Sequence, residues 1–230
     1  MNVLVLRPDP GAAATVARLR EAGHETLASP LFEAVPIAWQ LPPELPGAVM
    51  LTSAQAARLG GGGLAALVKL PCYAVGDATA DAARAAGFVD VRAGDGDAAT
   101  LLDHAMRDGF TSLLHLAGGD HRAVANPAAQ VKWRIVYAMQ ATHGLRASAQ
   151  RALEQGGVDW TLLHSPRAAE RFAMLVDRAG LDRGDIALAA LSPAVADAAG
   201  GGWRDVAVAA RPTDAALLAA AGLLCDKASE

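Results

Sequence analysis

AVMLTSAQAARL, residues 48–59, runs from a short apolar stretch of strand length through Thr52-Ser53 into an Ala-rich stretch of helical period. Its core returns later in the chain: LTSAQAARL (51–59) is echoed by LHSPRAAERF (163–172). Two further echoes keep the same order, AVGDATADAARAAG (74–87) with ALSPAVADAAGGG (190–202) and DAATLL (97–102) with TDAALL (213–218). The offsets stay near 112 to 116 residues, so the second half of the chain copies the first. A strand followed by a helix, repeated, predicts parallel strands joined by right-handed helical crossovers.

Working outward, the clearest strands are expected at 3–7, 48–52, 72–76, 112–118, 159–165, 186–191 and 205–209, with weaker ones at 24–28, 89–93 and 132–139. Helices are expected at roughly 11–22, 54–67, 78–86, 98–107, 146–155, 167–179, 194–199 and 213–224. Each copy then supplies five strands, which suits a flavodoxin-like sheet, and such a sheet opens its ligand crevice at the carboxyl ends of its strands. The fold class is therefore α/β, with two parallel-sheet units. SPLFEAVPIAWQLPPELPG (29–47) carries five prolines and reads as an extended connector. RIVYAMQATHG (134–144) is the extended counterpart in the second copy. Two such connectors fit either two tandem domains or two domains sharing strands across a hinge.

Composition sets the outer limits. A chain of 230 residues is long enough for two cores. With 53% hydrophobic and 19% charged residues it is not a disordered chain, and a net charge of -4 carries no nucleic-acid footprint. MNVLVLRPDP lacks a basic n-region followed by a long apolar stretch, and no run of ~18 residues is free of charge and turn residues, so a cytoplasmic protein without a membrane partner is expected. Cys72 and Cys225 have no CxxC or Cys/His spacing and read as small hydrophobes.

Arg7, Thr52, Ser53, Gly76, Gly118, Ser165 and Ser192 all fall just after expected strands, where the N–H groups of the next helix point outward with positive partial charge. That surface suits anions. Ser53, Ser165 and Ser192 also sit where N-capping residues belong, and the two glycines where turns need them. Arg7, Arg122 and Arg167 are the cations best placed to pair with carboxylates. Of the two tyrosines, Tyr73 lies inside an apolar strand and reads as core, while Tyr137 lies on the polar connector. Other chemistry finds no support: there is no GxxxxGK[ST], no GxSxG, and no third glycine around Gly94-Asp95-Gly96. The six histidines read as scattered, and the run Gly60 to Gly63 as a flexible loop.

Taken in order, these segments resemble the uroporphyrinogen-III synthase family over essentially the whole chain. VLVLRPDPGAAATVARLREAG with SPLFEAVPI is similar to the family's opening strand, first helix and Pro-Leu connector. LTSAQAARL is similar to its Thr-Ser-Ala-Asn-Ala element, AVGDATADAARAAG to its Val-Gly-x-x-Thr-Ala element, HLAGGDHR with IVYAM to its Gly/Arg loop and connector tyrosine, and LLHSPRAAERF to its second Ser-Pro element.

The resemblance implies two flavodoxin-like domains joined by a two-stranded linker: domain 1 at 1–33 and 143–230, domain 2 at 40–134, and linker strands at 34–39 and 135–142. It implies conversion of hydroxymethylbilane to uroporphyrinogen III, with loss of water and inversion of ring D through a spiro intermediate, by a monomer that needs neither metal nor organic cofactor. It implies Tyr137 as the catalytic acid, since a phenol can donate a proton to the departing hydroxyl. Arg7, Thr52, Ser53, Gly76, Thr79, Gly118, Arg122, Ser165 and Ser192 are the implied contacts to a substrate with eight carboxylates. The sequence departs from the family pattern at Ser192-Pro193-Ala194-Val195-Ala196, where Gly-Pro-Thr-Thr-Ala is usual, and at Pro127, which interrupts the segment after Arg122. A non-catalytic two-domain binding protein for a polyanion is the alternative, and a nucleotide-dependent enzyme a third reading.

Overall fold

The computed structural model describes residues 1–94, 96–120 and 124–224. The chain divides into two compact units, Met1–Glu33 with Ala141–Glu230, and Ala34–Gln140.

In the first unit, five strands form one parallel sheet: β1 (Asn2–Val5), β2 (Glu25–Ala28), β9 (Trp160–Leu163), β10 (Ala187–Ala190) and β11 (Asp205–Val208). Their order is β11-β10-β9-β1-β2. Counted within the unit this is 2-1-3-4-5 read from the β2 edge, the flavodoxin-like order. β1 and β10 are apolar along almost their whole length because helices cover both faces of the sheet. Those helices are α1 (Gly11–Glu21), α5 (Ala147–Glu154), α6 (Pro166–Arg178), α7 (Pro193–Ala199) and α8 (Asp214–Ala220). Leu19 of α1 and Leu217 and Leu218 of α8 pack against Val3, Val5, Leu162 and Ala189 of the sheet. Each fully buried leucine of this kind stabilises the fold by ~1.5 to 3 kcal/mol.

The second sheet, whose residues belong to the second unit except Phe32, Glu33 and Ala141, holds β3 (Phe32–Pro36), β4 (Ala48–Leu51), β5 (Cys72–Val75), β6 (Val91–Gly94), β7 (Ser112–Gly118) and β8 (Gln130–Ala141), in the order β3-β8-β7-β4-β5-β6. Without β3, the order is that of the first unit, entered at a different point: β7 and β8 take the places of β1 and β2, and β4, β5 and β6 those of β9, β10 and β11. The period of two in β4 shows why it is central. Val49 and Leu51 face α2 (Ala54–Leu59) and α3 (Asp77–Ala85), whereas Ala48 and Met50 face α4 (Ala98–Arg107). Tyr73 is core, as its apolar strand implies, with its hydroxyl donating to Asp108 at 2.7 Å. Beside it, Arg92 binds both Asp90 and Asp108.

The proline-rich connector, read as extended with a linker strand at 34–39, holds β3 at the edge of its sheet, the position where proline is tolerated. Two expectations change. The helix expected at 54–67 breaks at Gly60 into α2 and a 3-10 turn, Gly61–Ala66. The glycine run is therefore not a loose loop. Trp39 donates its indole N–H to Gly60 O at 2.8 Å, and a Cβ at Gly63 would come within 2.6 Å of the Trp39 ring.

Candidate anion-binding sites at the strand ends

Parallel strands deliver their successors to one end of each sheet, so residues far apart in sequence gather there. In the second unit these are Thr52-Ser53 after β4, Gly76 after β5, and Gly118 at the end of β7. Ser53 caps α2, its hydroxyl accepting from Gln55 N–H at 3.2 Å. Thr52 Oγ1 lies 2.9 Å from Nε2 of His115, which is buried on β7. Gly76 opens α3 with φ +71°, a conformation that L side chains rarely adopt. Thr79 lies one turn into α3 and is buried.

Gly118 and Tyr137 meet across neighbouring strands. The β7–β8 register slips at Ala117/Gly118, bringing Gly118 opposite Tyr137. Gly119 N–H then donates to Tyr137 O at 3.0 Å. The half-buried Tyr137 ring occupies the space that a side chain at 118 would fill: a Cβ there would stand 2.5 Å from Cζ and 2.7 Å from the hydroxyl oxygen. The glycine thus serves close approach by an aromatic ring, with an ordinary backbone conformation.

In the first unit, Arg7 follows β1, His164 and Ser165 follow β9, Leu191 and Ser192 follow β10, and Thr213 opens α8. Ser165 caps α6, accepting from Ala168 N–H at 3.2 Å, with Pro166 at the first helical position. Ser192 stands at the same place before α7 yet makes no capping bond. Arg167 lies with its guanidinium 4.5 Å from the Phe32 ring centre, a cation–π contact that the sequence did not suggest.

Asp214 gathers four partners. Its Oδ1 accepts from Thr15 Oγ1 at 2.9 Å, His164 Nε2 at 3.0 Å and Arg7 Nη1 at 3.3 Å, and its Oδ2 accepts from Arg18 Nη1 at 2.7 Å. The Asp214 side chain is only 11% exposed. Burial alone would raise its pKa, but the bonds from His164 and Thr15, the charge of His164 and the bond from Arg18 outweigh it and hold the carboxyl down at about 2. The cluster borders a cavity of about 500 Å³ that is also lined by Gly11, Leu191 and Thr213. A methyl group at Gly11 would overlap the Arg7 guanidinium.

Of the expected site residues, the structure brings Thr52 and Ser53 together at one strand end and pairs Gly118 with Tyr137, while Arg7, Ser165 and Ser192 share the strand-end face of the first unit. Arg122 lies outside the described residues. Asp214, Arg18, Thr15, His164 and His115 were not singled out from sequence. Of the six histidines read as scattered, His115 lies buried in the middle of β7 and His164 just after β9, each with a polar partner, Thr52 and Asp214 respectively. Among the described residues no three His, Cys, Asp or Glu side chains converge as a metal site, and no helix is long and apolar enough to cross a membrane.

A sequence profile of the family described as "Uroporphyrinogen-III synthase HemD" matches residues 13–219. Among solved structures, the crystal structure of uroporphyrinogen-III synthetase from Helicobacter pylori is similar, at 18% identity and TM-score 0.57 over 95% of this chain and 97% of that one. Uroporphyrinogen III synthase from Thermus thermophilus also matches, at 18% identity and TM-score 0.41 over 97% of each chain. No curated protein sequence matches the chain.

Proposed function

Since the chain belongs to the uroporphyrinogen-III synthase family of tetrapyrrole-forming enzymes, we propose that it cyclises hydroxymethylbilane to uroporphyrinogen III, with inversion of ring D and loss of water. In class this is a carbon–oxygen lyase reaction. The observation that carries the reading is the seating of Tyr137 on Gly118, which places a phenol beside a strand end already rich in helix-start N–H groups.

In this reading the substrate's carboxylates are met by helix N-termini, by Ser53, Thr52 and Ser165, and by the Arg7 guanidinium. Ser192, with no capping duty, offers a further hydroxyl donor. Gly76 lets the ligand approach the backbone, Gly118 seats the Tyr137 ring, and Thr79, one turn into α3, adds a further hydroxyl to that strand end. Pyrroles are nucleophilic without activation. The protein therefore has two tasks: to help hydroxide leave ring A, and to favour attack by the substituted carbon of ring D over the free one. Tyr137 O–H donates to the leaving oxygen in the first step. Favouring one closure ~100-fold over the other requires only about 2.7 kcal/mol of differential transition-state stabilisation, which positioning can supply. We place this reaction in the cytoplasm.

The test is incubation with freshly prepared hydroxymethylbilane and separation of the products. An enzyme of this kind gives the type III isomer, whereas a protein that only binds the polyanion leaves the spontaneous type I isomer.

A further inference from the structure

We infer that the cavity at the strand ends of the first unit is the subsite for one carboxylate-bearing pyrrole ring of the substrate, gripped by Arg7 and Arg18 together, with Asp214 as their internal counter-charge. The inference rests on the bilane reading above and assigns Arg18, Asp214 and His164 to it.

Three observations carry it. First, the charge does not balance within the cluster: two guanidinium groups share one carboxylate, so the cavity wall retains a positive charge. Second, each arginine is committed only in part. Among the described residues, Arg7 and Arg18 engage the cluster through Nη1, which leaves Nε and Nη2 of each as donors in the fork geometry that suits an incoming carboxylate. Arg7 is pre-positioned for this by Thr15, by Asp214 and by the bare Gly11 beneath it. Third, His164 lines the same cavity with its side chain only 9% exposed, and its Nε2 bond at 3.0 Å fixes the Asp214 carboxylate that both arginines bind.

The internal repeat sharpens the point. LHSPR laid on LTSAQ sets His164 against Thr52, and TDAALL laid on DAATLL sets Asp214 against Ala98. The strand registers then set Arg7 against Ala117. The same three positions are occupied by residues that do not ionise in the second unit and by Arg7, His164 and Asp214 in the first. Shared ancestry of the fold therefore does not require the cluster, and its charges are an addition of the first unit.

The experiment is steady-state kinetics of type III formation by the full-length protein and its variants. Arg7→Gln and Arg18→Gln should each raise KM for hydroxymethylbilane roughly 10- to 100-fold, with kcat changed by less than about threefold. Arg18→Lys should recover only part of the loss, because a point charge replaces a fork. Arg20→Gln removes the same charge from the same helix at a residue that bonds Thr26 instead, and should leave KM unchanged. Arg18 is 51% exposed, so losing its bond to Asp214 should lower the melting temperature by no more than about 4 °C. Unchanged KM in Arg18→Gln and Arg7→Gln, while the wild type still makes type III, would overturn the subsite and leave the proposed activity standing. Added inorganic phosphate separates a third outcome. Should phosphate inhibit the wild type and Arg18→Gln relieve that inhibition without altering KM, the cavity serves a free anion and the inference fails.

Discussion

Tyr137 rests on Gly118: the phenol ring fills the volume that any side chain at 118 would need, with Cζ only 2.5 Å from the position of a Cβ. The backbone at 118 is not in the left-handed region, so an alanine there is excluded by the ring alone. The ring is the free end of a side chain and can swing away, so the fold should tolerate the change better than the chemistry does.

Gly118→Ala is therefore expected to keep a melting temperature close to that of the wild type while displacing the phenol by about an ångström, a shift that can cost ~100-fold in turnover. Tyr137→Phe removes the proton donor itself and should lower kcat by ~10² to 10⁴, as a general acid requires. Rates of type III formation and thermal melts of both variants check this. Near-wild-type turnover in Tyr137→Phe would remove the phenol from the mechanism.

Asp214 makes stability depend on pH. Its folded pKa of about 2 lies below the ~3.9 of an unfolded aspartate, so its contribution is fully present above ~pH 5 and is lost as pH falls from ~4 through 2. The difference corresponds to about 2 to 3 kcal/mol. Asp214→Asn should be less stable than wild type by about that amount at pH 7, and the gap should close towards pH 2. Urea unfolding at several pH values measures it, and a gap that stays constant with pH would contradict the assignment.

Ser165 and Ser192 occupy matching places and should respond differently. Ser165→Ala deletes a capping bond and should cost ~1 kcal/mol. Ser192→Ala deletes none and should change stability by less than ~0.5 kcal/mol. A rise in KM without loss of stability in Ser192→Ala marks that hydroxyl as a substrate contact. Equal destabilisation in both variants would count against the distinction.

Gly63→Ala should destabilise the second unit by ~1 to 3 kcal/mol, because the added methyl would press on the Trp39 ring within its packed pocket. Tryptophan fluorescence during urea unfolding reports it. An unchanged midpoint would show that Trp39 can move aside at little cost.

The strands and helices were legible because parallel sheets covered on both faces write themselves as unbroken apolar runs, and because caps such as Ser53 and Ser165 stand directly before the helices they start. The circularly shifted strand order of the second unit was less visible: the repeats match β4 with β9 and β5 with β10, and only the pairing shows that β7 and β8 complete that set. β3 overlaps the linker strand that the resemblance implies at 34–39, while its prolines conceal it in the residue pattern alone. The glycine run was misread because its role depends on Trp39, more than twenty residues earlier. The Asp214 cluster was not legible at all. Its partners lie 50 to 207 residues away in sequence, and neither helical spacing nor a motif links them. His115 and Thr52, 63 residues apart, were missed for the same reason.

The most direct measurement is the isomer composition formed from fresh hydroxymethylbilane as the protein concentration is raised. The account predicts uroporphyrinogen III at a rate proportional to protein, overtaking the spontaneous closure, with that excess lost in Tyr137→Phe. Formation of the type I isomer alone, at the rate seen in buffer, would contradict it.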